Sequence, residues 1–257
     1  MRGAARRVHP LIAYLAPFLG LVAVWEVIAR AGLVRPIFLP AVSTVLGQGV
    51  ALLLTGHVVD ALLVSLWRGS AGLVLAAAVG VAVGIAMTRL PWLRALCDPL
   101  VAVAFPSPKI TFLPIFILWF GIDHTGKILL VAFTCVFPMI LSAYHGAAMV
   151  NRAWIWSALA MGTARRALLW KVVLPAALPH LFSGLRVTLP VALITAFTAE
   201  MVAGGGGVGA ALMFAQRFFE TPTVFVYILV MLLTGFTLDR AMLGMRARLL
   251  SWHESAE

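Results

Sequence analysis

Charge is what this chain has least of, and acidic charge least of all. Only 11% of its 257 residues are charged, with nine Asp and Glu, against 63% hydrophobic residues. A soluble domain of this length needs far more charge to cover its surface, which excludes a water-soluble fold. Two cysteines, Cys97 and Cys135, are too few for a disulfide framework, and both lie in or beside apolar runs as ordinary buried residues do. The six histidines (His9, His57, His124, His145, His180 and His253) never pair at i, i+4 around a carboxylate, and no Cys/His cluster occurs, so no metal site is expected. A serine-nucleophile motif is missing too, and no catalytic residue is assigned. The run Gly204 to Gly209 is glycine-rich, but Ala210 and Ala211 follow where a phosphate loop needs Lys and Ser/Thr. ATP binding on this chain is thereby excluded, and the run is expected to be a flexible turn.

What is present is long, unbroken apolar sequence. A bilayer core takes about 20 apolar residues per helix, so the chain is long enough for about six spans. A barrel is ruled out because the apolar runs do not alternate. The first span is expected over 11–30, following a basic N-terminus read as retained rather than cleaved. A polar-leaning connection, Ala31 to Asp60, leads to a second span, Ala61 to Thr88, in which Gly72, Ala76, Gly80 and Gly84 recur every four residues. Such a stripe lets a neighbouring helix approach closely. The third region, Ala95 to Gly121, contains Pro99, Pro106, Pro108 and Pro114 and cannot be one straight helix. A fourth span (Ile128 to Val150), a basic segment (151–186), a fifth span (Val187 to Ala203) and a sixth (Thr223 to Leu238) complete the chain. The reading is an all-α polytopic membrane protein, a single transmembrane domain over 1–257 with its core bundle in 61–248.

The net charge of +10 has a topological cause. With the N-terminus inside, thirteen Lys and Arg fall on inner segments and five on outer ones (Arg30, Arg35, Arg68, Lys127 and Arg217), with Lys109 inside the third region. Excess Lys and Arg marks cytoplasmic loops, so both termini and segment 151–186 are assigned to the cytoplasm. No nucleic-acid partner is needed to explain the charge. Arg165, Arg166 and Lys171 keep the segment out of the bilayer, since each costs roughly 2.5–3.5 kcal/mol at a helix centre. Leu159, Ala160, Leu168 and Leu169 still share an apolar side at helical spacing. A short docking helix is expected, ended by Pro175 and Pro179.

Gly162, Val172, Leu174 and Pro175 stand in the spacing of a known loop motif: Glu-Ala-Ala, three residues, Gly, nine residues, Ile, one residue, Leu-Pro. Ala158 matches the second alanine, while Trp156 and Ser157 replace the acid and the first alanine. The chain thus resembles the permease subunits of ABC importers of the nitrate/sulfonate/taurine/bicarbonate group. Trp25-Glu26, Ser65-Leu66-Trp67-Arg68, Pro106-Ser107-Pro108-Lys109, Gly184-Leu185-Arg186 and Ala199-Glu200-Met201 resemble that family in the same order.

The resemblance implies the MetI-like type I importer permease fold in the plasma membrane, working as a permease homodimer. It implies two partner ATPase subunits, which hold the ATP and Mg, and an extracytoplasmic substrate-binding protein. Trp156, Ser157, Ala158, Gly162, Arg165, Arg166, Val172, Leu174 and Pro175 form the expected ATPase-coupling loop, docking by packing more than by charge. The solute is expected to be a small anion such as nitrate, an alkanesulfonate or taurine; a thiamine precursor or other nutrient is the alternative. A secondary transporter should show paired broken helices, and only one broken region is evident.

Ionisable groups at membrane depth are the remaining candidates. Lys109, after the Pro106/Pro108 break, either faces a solute cavity or snorkels to the interface. Glu200, near the outer end of the fifth span, either shapes a gate or makes a structural hydrogen bond. Glu26 and Arg68 are expected to be interfacial anchors or partners of one another.

Overall fold

The computed structural model describes residues 10–250, with side chains from Ala16 onward. Arg2, Arg6, Arg7, His9 and His253 lie outside that range. The described chain is helical throughout: α1 (Pro10–Arg30), α2 (Val42–Leu54), α3 (His57–Arg89), α4 (Pro91–Ala104), α5 (Leu113–Phe120), α6 (His124–Ala148), α7 (Arg152–Ala160), α8 (Leu174–Ala203), α9 (Val208–Arg217) and α10 (Thr221–Leu249). A 3-10 turn (Lys109–Phe112) precedes α5 and a π-helical turn (Leu169–Val173) runs into α8. Four helices (α3, α6, α10 and α8 with its π turn) are long and apolar enough to cross a membrane, and the bent pair α4–α5 makes a fifth. The 21-residue α1 is the remaining candidate for the six expected spans.

At the centre α3 lies along α6, and α6 along α8. The glycine stripe is the reason the first pair comes so close. A Cβ on Gly72 would stand 2.6 Å from the Val131 side chain, and one on Gly80 2.5 Å from Met139 Cβ. At Gly84 it would meet the Ile140 carbonyl at 2.5 Å. Small residues here are therefore a packing requirement, as in other membrane helix pairs. The facing α6 residues Leu130, Val131, Cys135 and Met139 are almost wholly buried.

Four local expectations are corrected. The stretch Ala31 to Asp60 is not simply a polar connection: Val42–Leu54 forms the apolar helix α2, which packs on α10. The third region does break, with a 97° bend between α4 and the 109–120 segment. Pro99 nevertheless sits inside α4 and Pro114 in the first turn of α5, where a missing N–H costs little. Pro175 and Pro179 do not end a helix either. Pro175 follows directly on the π turn within the continuous helical run Leu169–Ala203, and Pro179 lies further along it. Finally, the short docking helix stops at Ala160, so Leu168 and Leu169 belong to the next element.

Enlarging the stripe tests this packing. Gly80→Leu should lower the melting temperature of the detergent-solubilised protein by about 3–10 °C, the scale of an overpacked core. Gly20→Leu, where a Cβ meets nothing within 4 Å, should leave it unchanged. Equal melting of both variants contradicts the close α3–α6 contact.

Candidate functional site

Two polar constructions stand out, one at each end of the bundle. At the glycine-run end, a helix terminus must be closed without water. Ser65 and Arg68 lie three residues apart and share one face of α3; Glu200 is in the last turn of α8. All three side chains are buried, Arg68 at 1% exposure and Glu200 at 0%. Arg68 Nη1 donates to Glu200 Oε1 at 2.9 Å, and Ser65 Oγ donates to Glu200 Oε2 at 2.7 Å. The other Arg68 hydrogens reach the Gly206 carbonyl at 2.7 Å and the Gly205 carbonyl at 2.6 Å, while Nε donates to His124 Nδ1 at 3.3 Å. Lys127 is buried beside them and donates to the carbonyls of Ile122 (2.9 Å) and Gly204 (2.5 Å).

The glycine run is thus held, not flexible. Its carbonyls turn inward to two cations, and the first backbone N–H groups of α9 are taken up by the same network. Val208 N donates to Ser65 Oγ at 2.8 Å and Gly209 N to Glu200 Oε2 at 3.1 Å. Gly207, at φ +99, packs so closely on the Glu200 carboxylate that any side chain would overlap it. Arg68 and Lys127, placed among outer cations by the charge count, are interior groups instead. Arg68 pairs with Glu200 rather than Glu26, which binds Arg30 (2.6 Å) and Ser43. The i, i+3 spacing of Ser65 and Arg68, both ionisable or polar at membrane depth, was the available signal for this cluster.

At the basic end lies the segment expected to couple. Asn151 caps α7, accepting from Ala153 N at 2.9 Å. After Ala160 the chain reverses in a Schellman turn: Thr163 N donates to Ala158 O and Gly162 N to Leu159 O, both at 2.9 Å, with Gly162 at φ +84. Ser157, Ala158, Val172 and Pro175 come together around a cleft of about 770 Å³ between α7 and the start of α8. Arg165 lines a separate cleft of about 630 Å³ with Arg89, Arg94 and Arg152. Trp156 borders neither cleft and stands 64% exposed, as do Trp154, Met161 and Trp170 at comparable exposure. Arg166 is exposed and Leu174 opens α8.

At the break in the third region, Pro106 and Pro108 bracket the bend and Lys109 turns back on it. Its Nζ donates to the Phe105 carbonyl at 2.5 Å and lies 5.6 Å from the ring centroids of both Phe105 and Phe137. The lysine ammonium takes up the Phe105 carbonyl, one of those left open where the helix breaks. Lys109 and Glu200 share no hydrogen-bonding partner, although their neighbours Ile110 and Ala199 pack in the same apolar cluster.

Breaking one member of the buried pair should cost more than removing both. Arg68→Met or Glu200→Met alone leaves an uncompensated buried charge and should destabilise the protein by about 3–5 kcal/mol, whereas the double variant should lose less than the sum. Denaturant unfolding in detergent measures the cycle; strict additivity is the result that contradicts the pairing.

The fold recurs in known proteins. Residues 72–250 match the family described as binding-protein-dependent transport system inner membrane component. The chain is 34% identical over 238 residues to the taurine transport system permease protein TauC of Escherichia coli (strain K12), covering 91% of this chain and 86% of that protein. It is 31% identical over 237 residues to the putative aliphatic sulfonates transport permease protein SsuC of Bacillus subtilis (strain 168), covering 92% and 86%. Among solved structures, an inward-facing form of the MetNI methionine ABC transporter superposes with TM-score 0.55 at 21% identity, over 75% of this chain and 97% of that one. A helical membrane bundle with this order of elements and this breadth of match belongs to the binding-protein-dependent transport system inner membrane components, as an ABC transporter permease of the MetI type.

Proposed function

We propose that this chain forms the translocation pathway of an ATP-driven importer for a small anion of the alkanesulfonate, taurine or nitrate class. The basic end faces the cytoplasm, and the glycine-run end faces the extracytoplasmic binding protein that delivers the solute. Two copies of the permease pair as a homodimer, and two ATPase subunits dock on residues 156–175 of each and supply the ATP hydrolysis that this chain lacks the residues to perform. What carries the reading is the surface of α7 and the turn after it. Trp154, Trp156, Met161 and Trp170 expose large apolar area next to Arg165, Arg166 and Lys171. A patch both apolar and basic stays out of the bilayer core yet gains from being covered. The family and the sulfonate and taurine permeases among the relatives support the solute class.

Coupling depends on the shape of the reversal at Gly162. A Cβ there meets no atom within 4 Å, so a substitution strains only the backbone. Gly162→Val should disfavour the left-handed turn by about 1–2 kcal/mol and reduce both ATPase co-purification and uptake, while Gly162→Asn, which tolerates that conformation, should retain them. Intact ATPase binding with valine sinks the docking assignment. For the solute, reconstituted transporter should accumulate labelled taurine or an alkanesulfonate, and Lys109→Met should slow uptake several-fold if the lysine meets the anion on its way. Unchanged transport with Lys109→Met removes that residue from the pathway. Accumulation of a thiamine precursor and not of any anion would replace the solute class.

A further inference from the structure

Carboxylates are few in this chain, and their pairing is uneven. Among the described residues Glu26, Asp98, Glu200 and Asp239 each sit in an ion pair, whereas Asp60, Asp123 and Glu220 do not. The three unpaired ones all lie at the glycine-run end: Asp60 in the first turn of α3, Asp123 at the start of α6, and Glu220 at the start of α10. Asp60 and Glu220 share one cavity of about 540 Å³, together with His57, Gly206, Gly207 and Tyr227. Tyr227 is only 5% exposed, yet its hydroxyl makes no hydrogen bond among the described residues. No fully buried side-chain oxygen lacks a partner, so that hydroxyl keeps some accessible surface, and Tyr227 lines the cavity. Arg35 and Arg217 lie in neighbouring segments but do not line it. Two unpaired carboxylates and a hydroxyl therefore line a space that, among the described residues, no Lys or Arg enters, His57 being its one basic side chain.

We propose that this pocket receives a lysine or arginine side chain of the extracytoplasmic binding protein and so fixes where that protein lands. The inference rests on the proposed function, which puts the glycine-run end outside. Ammonium and guanidinium groups are the donors that satisfy carboxylates and a hydroxyl together. A free small cation is a poor occupant, because Asp60 and Glu220 are both exposed and hydrated. Charges of that kind hold an isolated ion weakly; they steer a large partner and set its register. The location is also apt. Gly206 and Gly207 form one wall of the pocket, and the other side of the same turn is gripped by Arg68 and touches the Glu200 carboxylate. A side chain seated here presses on the turn that closes this end of the bundle.

The test uses the complete complex, permease with its ATPase in nanodiscs, titrated with its cognate binding protein at about 50 and 200 mM salt. Asp60→Asn/Glu220→Gln should weaken binding about tenfold at the lower salt and flatten the salt dependence, and Tyr227→Phe should weaken it about two- to threefold. Asp123→Asn removes the same charge at the same end but outside the cavity, and should stay within about twofold of the parent. If the double variant fails to assemble, the single Asp60→Asn and Glu220→Gln variants carry the comparison. Parent-like affinity and salt slope in assembled variants overturn the pocket and leave the proposed function standing. Failure of the parent complex to bind overturns both. Displacement of the binding protein by n-propylammonium from the parent but not from the variants supports a cationic occupant, whereas saturable n-propylammonium binding with no effect on the binding protein reassigns the pocket to a free cation.

Discussion

The buried pair of Arg68 and Glu200 is the constraint on which the rest of the structure depends. Neither charge could remain in a low-dielectric interior alone; each is tolerated because every polar atom around it is occupied. Satisfying them recruits four separate elements. Ser65 and Arg68 come from α3, Glu200 from α8, His124 from α6, and the donors Val208 and Gly209 from α9. The glycine run follows from the same demand. Its carbonyls must point inward to neutralise an excess of buried cation, and the backbone that allows this has positive φ at Gly204, Gly205, Gly206 and Gly207. Four consecutive glycines are therefore the backbone complement of two buried cations, Arg68 and Lys127.

Close helix packing supplies the frame in which that pair can sit. Lipid tails offer no hydrophobic drive for helices to associate, so α3 and α6 gain contact area only by approaching closely. The stripe at Gly72, Gly80 and Gly84 makes that possible, and it continues the face of α3 that begins with Ser65 and Arg68. Packing and polar closure are thus two parts of one helix face, apolar and small along most of its length and charged at the end where the chain must turn. The elements outside this core, α1, α2 and α10, are far less buried and leave large apolar side chains such as Leu46, Leu53, Leu232 and Phe236 exposed.

Much of this was legible in the sequence, and the failures have physical reasons. Spans read well because twenty apolar residues have few other uses. The broken third region read well because proline removes donors wherever it stands. Position misled where proline can serve two purposes: Pro175 looks like a helix end but lies inside the continuous helical run Leu169–Ala203, just after its π turn. The helix α2 was missed because Pro36, Pro40 and Gly56 flank it closely and suggested a loop throughout. Counting charge by side gave a coherent topology but treated Arg68 and Lys127 as solvent-facing. Sequence proximity to a span end does not distinguish a snorkelling cation from one that turns inward to a carbonyl. Pairing Arg68 with Glu200 required contact across more than a hundred residues, which no local pattern encodes.

Helix α8 links the two ends in a way that gives the proposed coupling a physical route. Its first turn holds Leu174 and Pro175, continuous with the π turn that carries Lys171 and Val172, and its last turn holds Glu200. Thirty residues of helix span about 45 Å at 1.5 Å per residue, enough to cross the bilayer and emerge on one side. A push on the segment between α7 and α8 is therefore delivered to the same rod that anchors the glycine turn. The rod is not uniformly stiff, since Pro179 and Pro190 each remove a backbone hydrogen bond along it. Its glycine-run end, by contrast, is bound by carboxylate contacts to α3 and α9 at once, which resists sliding and favours movement of the linked elements together. On the proposed reading the chain needs no chemistry of its own. It needs a surface that an ATPase can press, a helix that carries the displacement, and a turn whose closure depends on where that helix ends.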